Sequence, residues 1–310
     1  MTAPGPPIIR PDVLVLGAGG TLGEAWMTGV LAGIEAACGF DLRETESLVG
    51  TSAGAIVAAR LAAGRRPRPP ARSKRATIVP ALAAAPGGAG QLERLAARLL
   101  SPASGAVMRL ERIPGGLARG GVLALLPEGT HSLAEFERSV DRLHARFDGR
   151  LRVACVERRT GRRVVFGAPG APPASVAQAV AASCAIPGYF RPARIGGREY
   201  VDGAAWSMAN IDAAPAGRRT EVLCLSPTAG LPLSPTSPLG LLRTALRSRQ
   251  LLEVAALRRR GARLRIIGPA APAARLMAPD PMNPTGRDAV LRAGYAQGLA
   301  LGGAPGGPPA

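Results

Sequence analysis

The 310-residue sequence predicts an α/β fold in which a central, mostly parallel sheet is flanked by helices. Two observations carry this prediction. The chain opens as strand, glycine loop, helix, strand, tight turn and helix, the βαβα order that builds parallel sheets. Further on, apolar runs at 221–225 and 263–267 read as strands that alternate with helical stretches at 241–259 and 287–297.

Taken in order, Val13-Leu14-Val15-Leu16 is apolar at every position, as a strand buried on both faces must be. Residues 23–38 carry Met27, Val30, Leu31, Ile34 and Cys38 at helical spacing, 47–49 form a second short strand, and a second helix follows at 55–63, with its first turn starting at Ala53. From 64 to 126 the pattern changes to arginine, proline and glycine around a short amphipathic helix at Leu92, Leu95 and Leu99, which reads as an inserted cap or lid. Ser132 and Glu135 form a capping-box pattern ahead of Leu133, Phe136, Val140, Leu143 and Phe147 on one helical face. Residues 151–157 and 163–166 read as a hairpin turning at Thr160-Gly161, and Ser175 with Gln178 opens an alanine-rich helix that stops before Pro187. A strand at 199–201 then leads into Asp202. The expected organisation is one domain over 11–302 with the insert at 64–126, and Pro/Gly-dominated disordered tails at 1–10 and 303–310.

Basic residues outnumber acidic ones 39 to 21, a formal net charge of +18, and all but Lys74 are arginine. With three Tyr, two Trp and five Phe the chain lacks stacking platforms, so nucleic acid is not the expected partner. The seven cations between Arg60 and Arg75, with no acid among them, suit peripheral contact with an anionic membrane. Cys38, Cys155, Cys184 and Cys224 form no C-x-x-C pair and sit in apolar stretches, which favours buried thiols and a reduced, cytoplasmic setting. No secretory leader or spanning apolar run is evident, and no feature specifies an oligomeric state.

Three segments carry chemistry. Gly50-Thr51-Ser52-Ala53-Gly54 is a G-x-S-x-G sequence between a strand and a helix, the context of a nucleophile elbow whose crowded turn demands Gly50 and Gly54. Gly17-Ala18-Gly19-Gly20-Thr21-Leu22-Gly23 lies at another strand–helix junction, where backbone amides can approach a phosphate or an oxyanion. A dinucleotide fingerprint fits it poorly, because Leu22 stands where the last glycine belongs and no acidic ribose ligand follows at clear spacing. Asp202-Gly203-Ala204 supplies a carboxylate after a strand. A serine hydroxyl needs a base, and His131 and His144 both precede Asp202, against the order Ser, acid, His of α/β-hydrolases. A Ser52–Asp202 dyad is the simpler pairing.

The glycine loop, the elbow and the later Asp-Gly-Ala, in this order, resemble the patatin-like phospholipases. Ala181-Ala182-Ser183-Cys184-Ala185-Ile186-Pro187-Gly188-Tyr189-Phe190 ahead of Tyr200-Val201-Asp202-Gly203 is similar to that family's approach to its aspartate. The likeness is good over 12–61 and 151–210, loose in the C-terminal third, and scarcely extends to 64–126. It implies a three-layer sandwich with an inserted cap, a serine lipid acyl hydrolase acting on a lipid or ester substrate, and an oxyanion hole from the amides of Gly19, Gly20 and Thr21. Gly17, Gly23 and Gly203 support these motifs, and neither metal nor organic cofactor is expected. Ala18 and Leu22 depart from the family pattern, which often has glycine and a basic residue there, so no cationic side chain at 22 can bind phosphate. The competing reading is a non-catalytic lipid-binding protein on the same fold.

Overall fold

The computed structural model describes residues 8–70, 116–229, 238–278 and 280–303. Its strands are β1 (Val13–Leu16), β2 (Ser47–Gly50), β3 (Leu151–Glu157), β4 (Arg163–Phe166), β5 (Ala193–Ile195), β6 (Arg198–Asp202), β7 (Glu221–Leu225) and β8 (Arg263–Ile267). Its helices are α1 (Gly20–Cys38), α2 (Ala53–Ala62), α3 (Gly116–Leu125), α4 (Ala134–Asp141), α5 (Val176–Ser183), α6 (Pro238–Arg259), α7 (Ala271–Met277) and α8 (Arg287–Gly302).

All eight strands join one sheet in the order β5-β6-β3-β2-β1-β7-β8, with β4 paired to β3. The stretch from β3 through β8 is parallel, and β4, β5 and β6 run antiparallel to their neighbours. Strand β1 is central because it is apolar on both sides. Leu14 and Leu16 join the core shared with α1, α2 and α5, whereas Val13 and Val15 join a second core with Val222, Cys224, Val254 and Leu257. This is the expected α/β architecture, a mostly parallel sheet between helices.

Local differences have local causes. Helix α1 starts at Gly20, inside the glycine loop, so the loop's second half is the first helical turn. Ser132 binds the amide of Ala134 at 3.2 Å, but no reciprocal bond from Glu135 forms and Leu133 is the N-cap; α4 then ends at Asp141, before Leu143, His144 and Phe147. The Ser175–Gln178 capping box is present in both directions, at 3.0 and 3.1 Å. Strand β5 was not expected; its signal is Gly196-Gly197, whose φ of 55° and 75° make the two-residue hairpin turn into β6. Helices α3 and α7 were likewise unforeseen, α6 begins earlier than the apolar spacing suggested, and α8 runs on to Gly302. Within the predicted N-terminal tail, Ile8 is buried in the main core and Arg10 pairs with Glu44. The expected helix around Leu92, Leu95 and Leu99 lies outside the described residues, as do 1–7 and 304–310.

Arg60, counted from the sequence among the membrane-facing cations, instead points inward. It pairs with the fully buried Glu24 of α1, whose other oxygen accepts from Arg287 Nη2 of α8 at 2.8 Å. Burial alone would raise the Glu24 carboxyl, but the two guanidiniums outweigh it and hold it below the usual range. Arg66 is bonded to Asp41. Of that segment, Arg65, Arg66 and Arg68 are exposed, and Arg72, Lys74 and Arg75 fall outside the described residues.

The longest helix contact is α1 against α8, and small residues allow it. A Cβ on Gly29 would stand 2.3 Å from the Leu291 carbonyl oxygen, and one on Gly298 would stand 2.2 Å from that of Val30. Both obstacles are backbone, so a side chain there must push the helices apart. Gly298→Val is expected to destabilise the protein by about 1–3 kcal/mol or more, read as a lower thermal unfolding midpoint; an unchanged midpoint would show that α8 is not held at this distance.

Candidate active site

The chain winds from β1 to β2 and β3 on one side, and later returns to place β7 and β8 on the other side of β1. Such a reversal opens a crevice at the carboxyl ends of the strands. The ends of β1, β2 and β7 meet there, and they deliver the glycine loop, Ser52 and Pro227.

Ser52 sits between β2 and α2 with φ 53° and ψ −120°, a left-handed conformation that L residues disfavour by about 1–3 kcal/mol. Its surroundings hold it there. The Thr51 amide donates to the Leu16 carbonyl at 3.0 Å, tying the elbow to β1. A Cβ on Gly54 would lie 2.0 Å from that same Leu16 oxygen, and one on Gly50 would lie 2.5 Å from the Ala55 Cα, so neither position admits a side chain. The Ser52 amide donates to Ser183 Oγ at 2.8 Å, and Ser183 Oγ donates to the Ala154 carbonyl at 2.7 Å.

Asp202 ends β6, in register with Cys155 on β3. The Ser52 hydroxyl donates to its Oδ2 at 2.7 Å, and the Ala204 amide donates to its Oδ1 at 2.8 Å. A Cβ on Gly203 would stand 2.3 Å from the Ala154 carbonyl oxygen, which is why the aspartate is followed by glycine. Asp202 is 2% exposed and Ser52 is 7% exposed. The groups that stabilise the Asp202 anion are the neutral Ala204 amide and Ser52 hydroxyl, and burial outweighs them, so the carboxyl is pushed up to about 7. Cys155 and Cys184, both fully buried, contribute to this apolar setting, and burial raises their thiols far above the ordinary range.

The glycine loop partitions its amides. Gly17 donates to the Leu225 carbonyl, Ala18 to Met208, Leu22 to Pro281 and Gly23 to Gly19, at 2.7 to 3.0 Å. Among the described residues, the amides of Gly19, Gly20 and Thr21 meet no acceptor. The last two are the first donors of α1, so the positive end of its dipole lies with them. Gly20 has φ 64°, and a Cβ there would meet Met282 Sδ at 2.6 Å; one on Gly19 would meet Pro227 at 2.5 Å. The Leu22 side chain, where a basic residue was the family expectation, is buried in the core.

The structure thus brings together Ser52, Asp202 and the elbow glycines, sets the glycine loop at the adjoining end of β1, and leaves both histidines elsewhere. His131 stacks on Tyr189 with centroids 4.6 Å apart, and His144 lies in the loop after α4 with φ 53°. Sequence reasoning missed Ser183, Asn210, Pro227 and Met282. Ser183 was within reach, since it precedes Cys184 in the stretch leading to the aspartate; the others act through contacts that no local pattern encodes. Among the described residues no group of His, Cys, Asp and Glu is arranged to hold a metal ion, and no helix is long and apolar enough to cross a membrane.

The model of a family described as patatin-like phospholipase matches residues 14–215. One similar solved structure is VipD from Legionella pneumophila, at 15% identity and a TM-score of 0.42, covering 95% of this chain and 67% of that one. Comparison with curated proteins finds no match.

Because the Asp202 carboxyl titrates near 7 in the fold against an ordinary 3.8, folding favours its protonated form. Its stabilising effect is therefore complete at pH values below 3.8 and is lost as the pH rises through about 7. Asp202→Asn, which can keep the Ala204 bond and donate to Ser52, should gain stability over wild type progressively from about pH 4 to 7 and level off above. Parallel unfolding curves of the two proteins across this range would show that the carboxyl is not shifted.

Proposed function

The chain belongs to the patatin-like phospholipase family, whose members are lipid acyl hydrolases, and on that premise we propose that Ser52 is its nucleophile and Asp202 its general base. The observation that carries the proposal is the 2.7 Å bond from the Ser52 hydroxyl to the buried Asp202 carboxylate, across an elbow that holds the serine in a strained backbone.

Asp202 accepts the hydroxyl proton as Ser52 Oγ attacks the ester carbonyl carbon. The carbonyl oxygen becomes an oxyanion, and the free amides of Gly19, Gly20 and Thr21 stabilise it, each such donor being worth about 2.7–4 kcal/mol in barrier height. Collapse expels the alcohol, which takes the proton from Asp202. Water then attacks the acyl-enzyme with Asp202 again as base, releasing the fatty acid and restoring the serine. A carboxyl raised to about 7 suits this exchange, because a base works best when its pKa lies near the working pH. The substrate class is a lipid carboxylic ester. The cationic surface open to an anionic membrane is smaller than the sequence suggested, since Arg60 is turned inward onto Glu24.

The test is reaction with a fluorophosphonate followed by peptide mapping, with turnover of a short-chain nitrophenyl ester. Label on Ser52, and hydrolysis that rises with pH and levels off above about 7, are expected. An unlabelled, inactive but folded protein would favour the lipid-binding alternative.

Three variants separate the roles. Ser52→Ala should abolish turnover with normal unfolding, and Asp202→Asn should lose roughly 100- to 10,000-fold. His131→Gln combined with His144→Gln should keep most of the activity. A dead histidine variant beside an active Asp202→Asn would replace the dyad with a Ser–His mechanism.

A further inference from the structure

Asn210 lies outside every motif that points to the dyad, yet its side chain reaches both halves of it. It is completely buried. Its Nδ2 donates to Thr51 Oγ1 at 3.1 Å, to the Gly203 carbonyl at 3.3 Å and to the Ser207 carbonyl at 2.8 Å. Thr51 immediately precedes Ser52, and Gly203 immediately follows Asp202. One amide group therefore touches the neighbours of two residues that are 150 positions apart in the chain.

The residue itself is firmly seated. Its backbone has φ 52° and ψ 43°, a left-handed conformation that asparagine tolerates better than most residues. Its amide donates to Ser207 Oγ at 3.2 Å, and Ser207 Oγ in turn donates to Glu253 Oε2 of α6 at 2.9 Å. The same Glu253 oxygen accepts the Ile211 amide at 3.0 Å, which fixes the turn after Asn210. Arg163 Nη1 lies 3.3 Å from Asn210 Oδ1, orienting the side chain so that Nδ2 faces the elbow. Aspartate or leucine could fill this volume, but neither can donate to three oxygens.

We propose that Asn210 is a positioning residue that clamps the nucleophile elbow to the Asp-Gly turn and so sets the Ser52–Asp202 separation. The inference rests on the dyad reading above. Loss of the clamp leaves both reacting groups in place but lets their bond vary, and a misplacement near 1 Å can cost about 100-fold in rate. The effect falls on the chemical step and not on substrate binding.

The experiment compares wild type, Asn210→Asp, Thr51→Val and the double variant in kcat, KM and rate of fluorophosphonate labelling at Ser52, alongside thermal unfolding. Asn210→Asp keeps the shape, the left-handed tolerance and the Arg163 contact while removing the donors. It should lower kcat and labelling roughly 10- to 100-fold with little change in KM. Thr51→Val removes one acceptor and should lower both by less. Because the two residues act through one bond, the double variant should be no slower than Asn210→Asp alone. Undiminished kcat in a folded Asn210→Asp, or a double variant whose loss is the product of the single losses, overturns the proposal. Should Asn210→Asp not fold, Thr51→Val decides, and wild-type rates in it overturn the clamp. A wild type that neither labels nor hydrolyses sinks the dyad reading itself, and the clamp with it; an active wild type with insensitive variants sinks the clamp alone.

Discussion

The backbone of Ser52 is the constraint on which the neighbouring structure depends. A residue with a Cβ at φ 53° and ψ −120° does not stay there unless its neighbours leave no alternative. The strand before it and the helix after it are therefore packed so closely that Gly50 and Gly54 have backbone atoms where a Cβ would go. Helix α2 is buried along nearly its whole length, which anchors the far side of the turn. Ser183 takes the Ser52 amide, which finds no backbone acceptor in this apolar interior. The strain is thus borne by rigid elements and not by a loop.

Electrostatics around the sheet follows one rule with two outcomes. Glu24 and Asp202 are both buried carboxyls, and burial pushes both upward. Glu24 has two guanidiniums against it and stays ionised, linking α1, α2 and α8. Asp202 has only dipoles, so it lies at about 7, poised between its two forms. A carboxyl in that state costs stability when ionised, and such a cost is commonly found where chemistry is done. The fold places the paired acid among the helices that carry the sheet and the unpaired one against the serine.

The C-terminal third, beyond the residues that match the family, completes the glycine loop. The carbonyls of Leu225 and Pro281 take the amides of Gly17 and Leu22, and Pro227 and Met282 pack where side chains on Gly19 and Gly20 would have to go. By satisfying the flanking amides and no others, these contacts leave the run from Gly19 to Thr21 open. Helix α8, which follows Met282 in the chain, is carried against α1 by glycine-to-backbone contacts.

The sequence by itself determined the α/β class, the parallel opening, the hairpin of β3 and β4, the Ser175 capping box and the candidate residues Ser52, Asp202 and 17–23. These are local properties: periodicity, small residues at a crowded turn, and a donor three residues from its acceptor. It misjudged the end of α4 and the outward direction of Arg60, because helix length and side-chain direction depend on what packs alongside. Strand β5 was readable from Gly196-Gly197 and was overlooked. Only the tertiary structure decided that Oγ and Oδ2 meet at 2.7 Å, which loop amides stay free, that two guanidiniums offset burial at Glu24 while nothing charged does so at Asp202, and that Asn210 reaches the neighbours of both Ser52 and Asp202. Each of these is set by distance and desolvation between segments far apart in the chain, and neither quantity exists until the chain has folded.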